Sequence, residues 1–275
     1  MNKIVFRTLL AFLALTWAQP LLAQQATKEQ MVVALSSPGK PGTLHLKLVG
    51  GGIRVIGTTG KDVVIETSTR GGRRESSSSD APAGMRRISQ ADNMDVTAQE
   101  RGNHVYIKTQ SWQHPVDFVI RVPRQFSLQL STVQDGDIVV ENVAGELEVS
   151  NVNGSVRLKD VSGSAVLSTV NGELVADFNN VTAGAPMAFS TVNGKVDVTL
   201  PAKAKASLKL KSDMGEIYSD FDLAVDNSAP KVTRTAKEGT YRVNTDNWTY
   251  GKINGGGAEF MMKSLNGDIF IRRAK

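Results

Sequence analysis

Apolar and polar residues alternate in short runs along almost the whole chain, and glycine, asparagine and aspartate punctuate the runs. Leu44, Leu46 and Leu48 alternate with polar neighbours, and Ile53, Val55, Val63 and Ile65 continue the pattern. It returns over residues 105–107 and 116–122. A period of two sends successive side chains to opposite faces of a strand, so the pattern predicts an all-β protein.

Beyond residue 130 a longer period is superimposed. Gly136, Gly145, Gly154, Gly163 and Gly172 fall nine residues apart within the phrase Val-x-Gly-x-h-x-h, where h is apolar. Val143-Ala-Gly145-Glu-Leu147-Glu-Val149 and Val152-Asn-Gly154-Ser-Val156-Arg-Leu158 are two instances. The Ser-x-Val phrases at 131, 150, 168 and 190 alternate with Asn142-Val-Ala-Gly and Asp160-Val-Ser-Gly. The full unit is therefore about 18 residues, lengthening to 22 between Gly172 and Gly194. Gly215 carries the phrase on imperfectly, residues 224–257 break it, and Ser264-Leu-Asn-Gly267-Asp-Ile269 restores it. A unit of this length holding two strands matches one coil of a β-solenoid, here a single-stranded right-handed parallel β-helix.

The eight glycines Gly136, Gly145, Gly154, Gly163, Gly172, Gly194, Gly215 and Gly267 are the expected corners, where φ > 0 suits glycine. Asn153, Asn171, Asn193 and Asn266 stand one place earlier and predict a stacked amide ladder. Asn-Gly is also a strong hairpin signal, so an antiparallel meander competes. In a hairpin turned at Asn171-Gly172, Val170 faces away from Leu174 and Ala176; at a solenoid corner it can point inward with them. Burying one valine is worth ~1.5–3 kcal/mol, which favours the solenoid and predicts an inward Val170.

The Ser-Thr-Val-Asn-Gly coils and the terminal segment from Asn254 to Ile271 resemble a bacterial candidate-adhesin domain family of unknown function, made of exported β-helical repeat proteins. Residues 81–88 resemble that family's early loop, so the resemblance spans most of residues 30–273. It implies an envelope-associated β-helical scaffold and transfers no catalytic residues.

Lys3 and Arg7, an apolar run over 9–15 and the small-residue site Leu21-Leu22-Ala23 form a secretory signal pattern. The expected organisation is a signal peptide at 1–23 and one domain at 24–275, periplasmic or extracellular. A mobile loop at 70–92 and a repeat-interrupting insertion at 224–257 are expected within that domain. The run is shorter than the ~20 apolar residues of a membrane span. The chain has no cysteine, which excludes disulfides, thiolate metal sites and cysteine nucleophiles. Net charge is +5, with basic residues dispersed except at Arg70, Arg73, Arg74, Arg86 and Arg87. That is no nucleic-acid footprint, though anionic lipid or acidic glycan fits it.

Candidate chemistry is sparse. The outward charges Glu146, Glu148, Arg157, Lys159, Glu173, Asp177, Lys195 and Asp197 alternate in sign, so Glu148 is expected to pair with Arg157 or Lys159 across strands. Paired carboxylates in a secluded pocket, as glycoside hydrolysis needs, are not suggested. The aspartate-bearing calcium nonapeptide is absent, His45, His104 and His114 lack a metal-binding spacing, and no Gly-x-Ser-x-Gly elbow occurs. No cofactor is implied. The candidate ligand-binding residues are Arg73, Arg74, Arg86, Arg87, Trp112, Trp248 and Tyr250; the tryptophans and the tyrosine serve equally as caps over an open solenoid end. The expected function is a non-enzymatic exported scaffold binding an envelope component, glycan or protein partner. The alternatives are a β-helix enzyme acting on an acidic polysaccharide and an envelope-stress sensor whose basic 70–90 loop binds anionic lipid or peptide.

Overall fold

The computed structural model describes residues 28–69, 96–109, 115–226, 231–237, 240–246 and 248–275, and these are all-β, without a helix. The expected signal at 1–23, the whole expected loop at 70–92, and Arg73, Arg74, Arg86, Arg87 and Trp112 lie outside the described residues.

Two parallel ladders carry the repeats. The first stacks Gly42–Lys47, Phe126–Thr132, Ala144–Asn151, residues 162–168, Met187–Asn193, Ala258–Asn266 and Ala206–Ser212 in that order. The second stacks Val116–Pro123, Ile53–Thr58, Ile138–Glu141, residues 156–159, Leu174–Val181, Val196–Leu200, Ile269–Arg273 and Ile217–Ser219. Alternate residues of both ladders are buried, giving one core that includes Leu128, Leu147, Leu167, Phe178, Phe189, Val196, Phe260 and Ile269. Glycines with the same role lie opposite one another, as Gly145 does with Gly163. Among the described residues, antiparallel pairing, which an all-hairpin meander requires, occurs only toward the ends of the ladders and in a separate hairpin, Lys231–Lys237 with Thr240–Asp246.

The spatial order of coils departs from the order in the chain at both ends. The C-terminal coil, 258–273, lies between coil 187–200 and coil 206–219. The early coil, 42–58, likewise lies between coil 104–123 and coil 126–141. The 224–257 break now has a physical purpose. Ala206–Ser212 is the last parallel strand, and Thr249–Ile253 covers its edge antiparallel, with Ala224–Asp226 beyond. An uncovered strand edge would offer its backbone donors and acceptors to another chain. After that cap the chain re-enters one coil further in.

The corners correct two expectations. Val170 is 38% exposed, Val133, Val192 and Leu265 are also exposed, and Val152 is half-buried, so none of these corners buries its aliphatic residue. Only the Val143 and Val161 corners bury it. The inner position is held by a hydrogen-bond donor. Thr132, Asn151, Thr169, Thr191, Ser264 and Ser212 each donate to the carbonyl of a glycine on the adjoining coil, at 2.8–3.1 Å. A buried carbonyl without a partner is costly, and valine has no donor to offer.

Left-handed φ is likewise not what the corner glycines share. Gly154, Gly163, Gly194 and Gly267 have it, but among Gly136, Gly145, Gly172 and Gly215 no positive φ occurs. What all eight share is space. A Cβ on Gly172 would stand 2.2 Å from the carbonyl oxygen of Gly154, and every other corner meets backbone oxygen at 2.5 Å or less. Coils stack so closely at these corners that a hydrogen is the only side chain that fits.

Candidate ligand-binding face

Each strand of the first ladder buries one set of side chains and presents the other to solvent. Leu210 and Leu208 point inward, which puts Lys209 and Lys211 outside. The capping strand Thr249–Ile253 runs antiparallel beside them, with Tyr250 opposite Lys209. Trp248, just before it, lies beneath both ammonium groups: Lys209 Nζ is 4.8 Å and Lys211 Nζ 6.0 Å from the ring centroid. Such a contact contributes about 0.5–1 kcal/mol at an exposed site. Lys211 also lies 3.2 Å from Asp213, and Lys263 is its register partner on the inserted C-terminal coil. The cap thus also gathers two aromatic rings and three lysines on one solvent-facing surface.

The opposite end of this ladder holds a second cluster that the sequence reading passed over. His45 is half-buried, stacked on Tyr106 with ring centroids 4.4 Å apart and planes 8° from parallel. Its Nδ1 is 2.8 Å from the Gln129 side-chain oxygen, within hydrogen-bond distance. Nε2 is buried with no hydrogen-bond partner, and His104, two residues before Tyr106 on the same strand, lies 5.8 Å from His45 and 6.5 Å from Tyr106. Lys47, Lys108 and Thr97, with His45, Tyr106 and Gln129, line a cleft of about 550 Å³. The alternation Leu44-His45-Leu46 and Val105-Tyr106-Ile107 signalled that His45 and Tyr106 point outward; their proximity depends on non-local pairing.

The second ladder's outer face has a different character. Asp137, Arg157, Glu173, Lys195, Asp197 and Arg272 form a chain of ion pairs across coils, with closest approaches of 2.8, 2.6, 3.5, 3.9 and 2.7 Å. The hydrogen bond from Arg157 holds the Glu173 carboxyl below its ordinary range, and the same bond raises Arg157. Asp197 raises Arg272 by hydrogen bonding in the same way. Asp177 is pushed up by burial, with Asp160 adding to the shift. The expected pairing of Glu148 with Arg157 or Lys159 is corrected: Glu148 lies on the first ladder, between Gln129 and Val166. Successive strands alternate between the two ladders, so the charges that are near in sequence are not the ones that meet.

Among the described residues no group of three or more histidines, aspartates and glutamates is placed to hold a metal ion. The amide ladder forms through side chains at Asn153, Asn171 and Asn193, each linked at 2.8 Å, and Asn266 is in register with Asn193. No helix of the described residues is long and apolar enough to cross a membrane.

Comparison with known proteins agrees with the repeat phrase. Residues 128–249 match the model of the family described as Toastrack DUF4097, which bears out the resemblance read from the coils. No curated protein matches the chain. Among solved structures, a candidate cell adhesion protein from Clostridium sporogenes is similar at 10% identity and a TM-score of 0.47, covering 91% of this chain and 100% of its own. A candidate adhesin from Bacteroides fragilis is similar at 12% identity and a TM-score of 0.33, covering 91% and 98%.

Proposed function

We propose that the protein is an exported, non-enzymatic scaffold that holds a component of the cell envelope on the outer face of its first ladder. In this reading the two ladders are faces of one right-handed β-solenoid domain spanning 24–275 behind a cleaved signal at 1–23. Parallel pairing at an 18-residue offset, as between Gly145 and Gly163, supports the solenoid. One observation carries the function: Trp248 and Tyr250 lie beside Lys209, Lys211 and Lys263 on a solvent-facing sheet. On the second ladder, by contrast, neighbouring charges neutralise one another in ion pairs. Aromatic rings and cations on a rigid support are the residue types that anchor ligands.

The test is sedimentation of the tagged mature protein with isolated envelopes of its own cell. Replacing Lys209, Lys211 and Trp248 by alanine together should weaken binding by about tenfold, a magnitude set by three exposed contacts of 0.2–1 kcal/mol each. Undiminished sedimentation of a folded triple variant would reject this face as the binding surface.

A further inference from the structure

The two clusters are the ends of one row. In the first ladder, register places Lys47 beside Ser131, Ser131 beside Ser150, and Ser150 beside Ser168. It continues from Ser168 to Ser190, then Lys263, then Lys211. The residues on either side of each are buried or half-buried core positions, such as Leu167 and Thr169 around Ser168, so the row points outward. At one end Leu46 pairs with Ile107, which leaves Lys108 in step with Lys47 next to His45 and Tyr106. At the other end Lys211 reaches Trp248. Cations and aromatic rings therefore bracket an uninterrupted line of four serine hydroxyls, two of them 3.3 Å apart.

The flanks narrow the choice of ligand. Along one side run the exposed corner residues Val133, Val170, Val192 and Leu265, with the neutral amides of Asn153, Asn171 and Asn193 beyond them. Along the other side stand Gln129, Glu148, Val166, Ala188 and Met261. Glu148, with Glu146 and Glu259 further out, and Asp213 beside Lys211 are the acidic groups near the row among the described residues. A ligand that fits has negative charge for the terminal lysines, hydroxyls for the serines and apolar ring faces for the valines and aromatics. It must also be extended and straight, because the row is.

We infer that this row is a binding track for a linear acidic polysaccharide lying along the stack of coils. The inference rests on the scaffold reading above and names its ligand. Strands are spaced ~4.8 Å apart, so Lys47 and Lys263, five steps from each other, are separated by about 24 Å. A chain that reaches both ends gains the second set of contacts without a second loss of translational freedom.

The experiment uses the mature full-length protein with polymannuronate oligomers of graded length, and with neutral dextran, phosphatidylglycerol vesicles and duplex DNA as contrasts. Affinity for polymannuronate should rise with length until the oligomer spans about 24 Å and then flatten, and it should fall with added salt. Lys47→Ala with Lys263→Ala should reduce it about tenfold. Ser168→Asp, which places a like charge in mid-track, should weaken it while Ser168→Ala does not, with unchanged thermal midpoints confirming that both fold. Length-independent affinity, equal binding of dextran, a preference for vesicles or DNA, or indifference to Ser168→Asp would each overturn the track. Envelope binding without any binding of acidic glycan would overturn the ligand class and leave the scaffold reading standing. Binding to neither would reject both.

Discussion

The Thr169 hydroxyl donates a hydrogen bond to the carbonyl oxygen of Gly154, 2.9 Å away on the adjoining coil. Thr169 is 4% exposed while its neighbour Val170 is 38% exposed, so the polar residue occupies the interior and the apolar one the surface. The order is reversed from simple hydropathy because the corner turns a backbone acceptor inward. Thr169→Val keeps the shape and removes the donor, and should cost about 1–3 kcal/mol in denaturant unfolding. Val170→Asp should change stability by no more than about 0.5 kcal/mol. Equal losses at the two positions would mean that Val170 is buried after all.

Gly172→Ala separates crowding from torsion. No positive φ makes alanine unsuitable there, yet its methyl carbon would stand 2.2 Å from the Gly154 carbonyl oxygen. The two coils would have to separate, so destabilisation of about 1–3 kcal/mol or more is expected in thermal or denaturant unfolding. A neutral substitution would show that the corners have room.

Glu173 gives the second ladder an acid limit. Its carboxyl is held below the ordinary value of 4.5, first by the hydrogen bond from Arg157. A depressed folded-state value stabilises the fold fully above the unfolded value, and that contribution is lost as pH falls through the folded one. Glu173→Gln should therefore lower stability at neutral pH and leave it nearly unchanged in acid well below 4.5. Unfolding curves for both proteins across that range provide the check; a constant difference at all pH values would contradict it.

Asp177 has the opposite sign. Burial raises it above the ordinary 3.8, and Asp160 adds to the shift. A raised carboxyl favours the protonated fold, so its ionisation works against stability once the pH passes the folded value. Asp177→Asn should raise the thermal midpoint at neutral pH, and the gain should vanish in acid below 3.8. A lower midpoint at neutral pH would show that the charge is needed.

Particular residues show how far sequence carries here. Leu147, Val149, Val156 and Leu158 announce both strands of a coil and the face each buries, because strand alternation is local. The glycine period likewise reveals the vertical alignment of Gly145 on Gly163. The inward Thr169 was hidden because its partner lies on another coil and hydropathy ranks valine above threonine. The insertion of Ser264–Gly267 between Gly194 and Gly215 was hidden for a related reason. All three phrases are alike, so their similarity says that they stack and not in which order. Trp248 and Tyr250 were visible as candidates, whereas Lys209, Lys211, Lys263 and His45 became part of a surface only through pairings 40 or more residues apart.

That inserted coil decides which lysine adjoins the serine row and which strand the cap covers. The chain has no cysteine, so pairs can be introduced without competition. Adjacent parallel strands bring Cα atoms ~4.8 Å apart, within disulfide reach, while next-but-one strands stand about 9.6 Å apart and outside it. Oxidation of the folded protein should link Ser190→Cys to Lys263→Cys and should leave Ser190→Cys with Lys211→Cys unlinked. The reverse result, a bond between positions 190 and 211, would place the coils in chain order and contradict the inserted C-terminal coil.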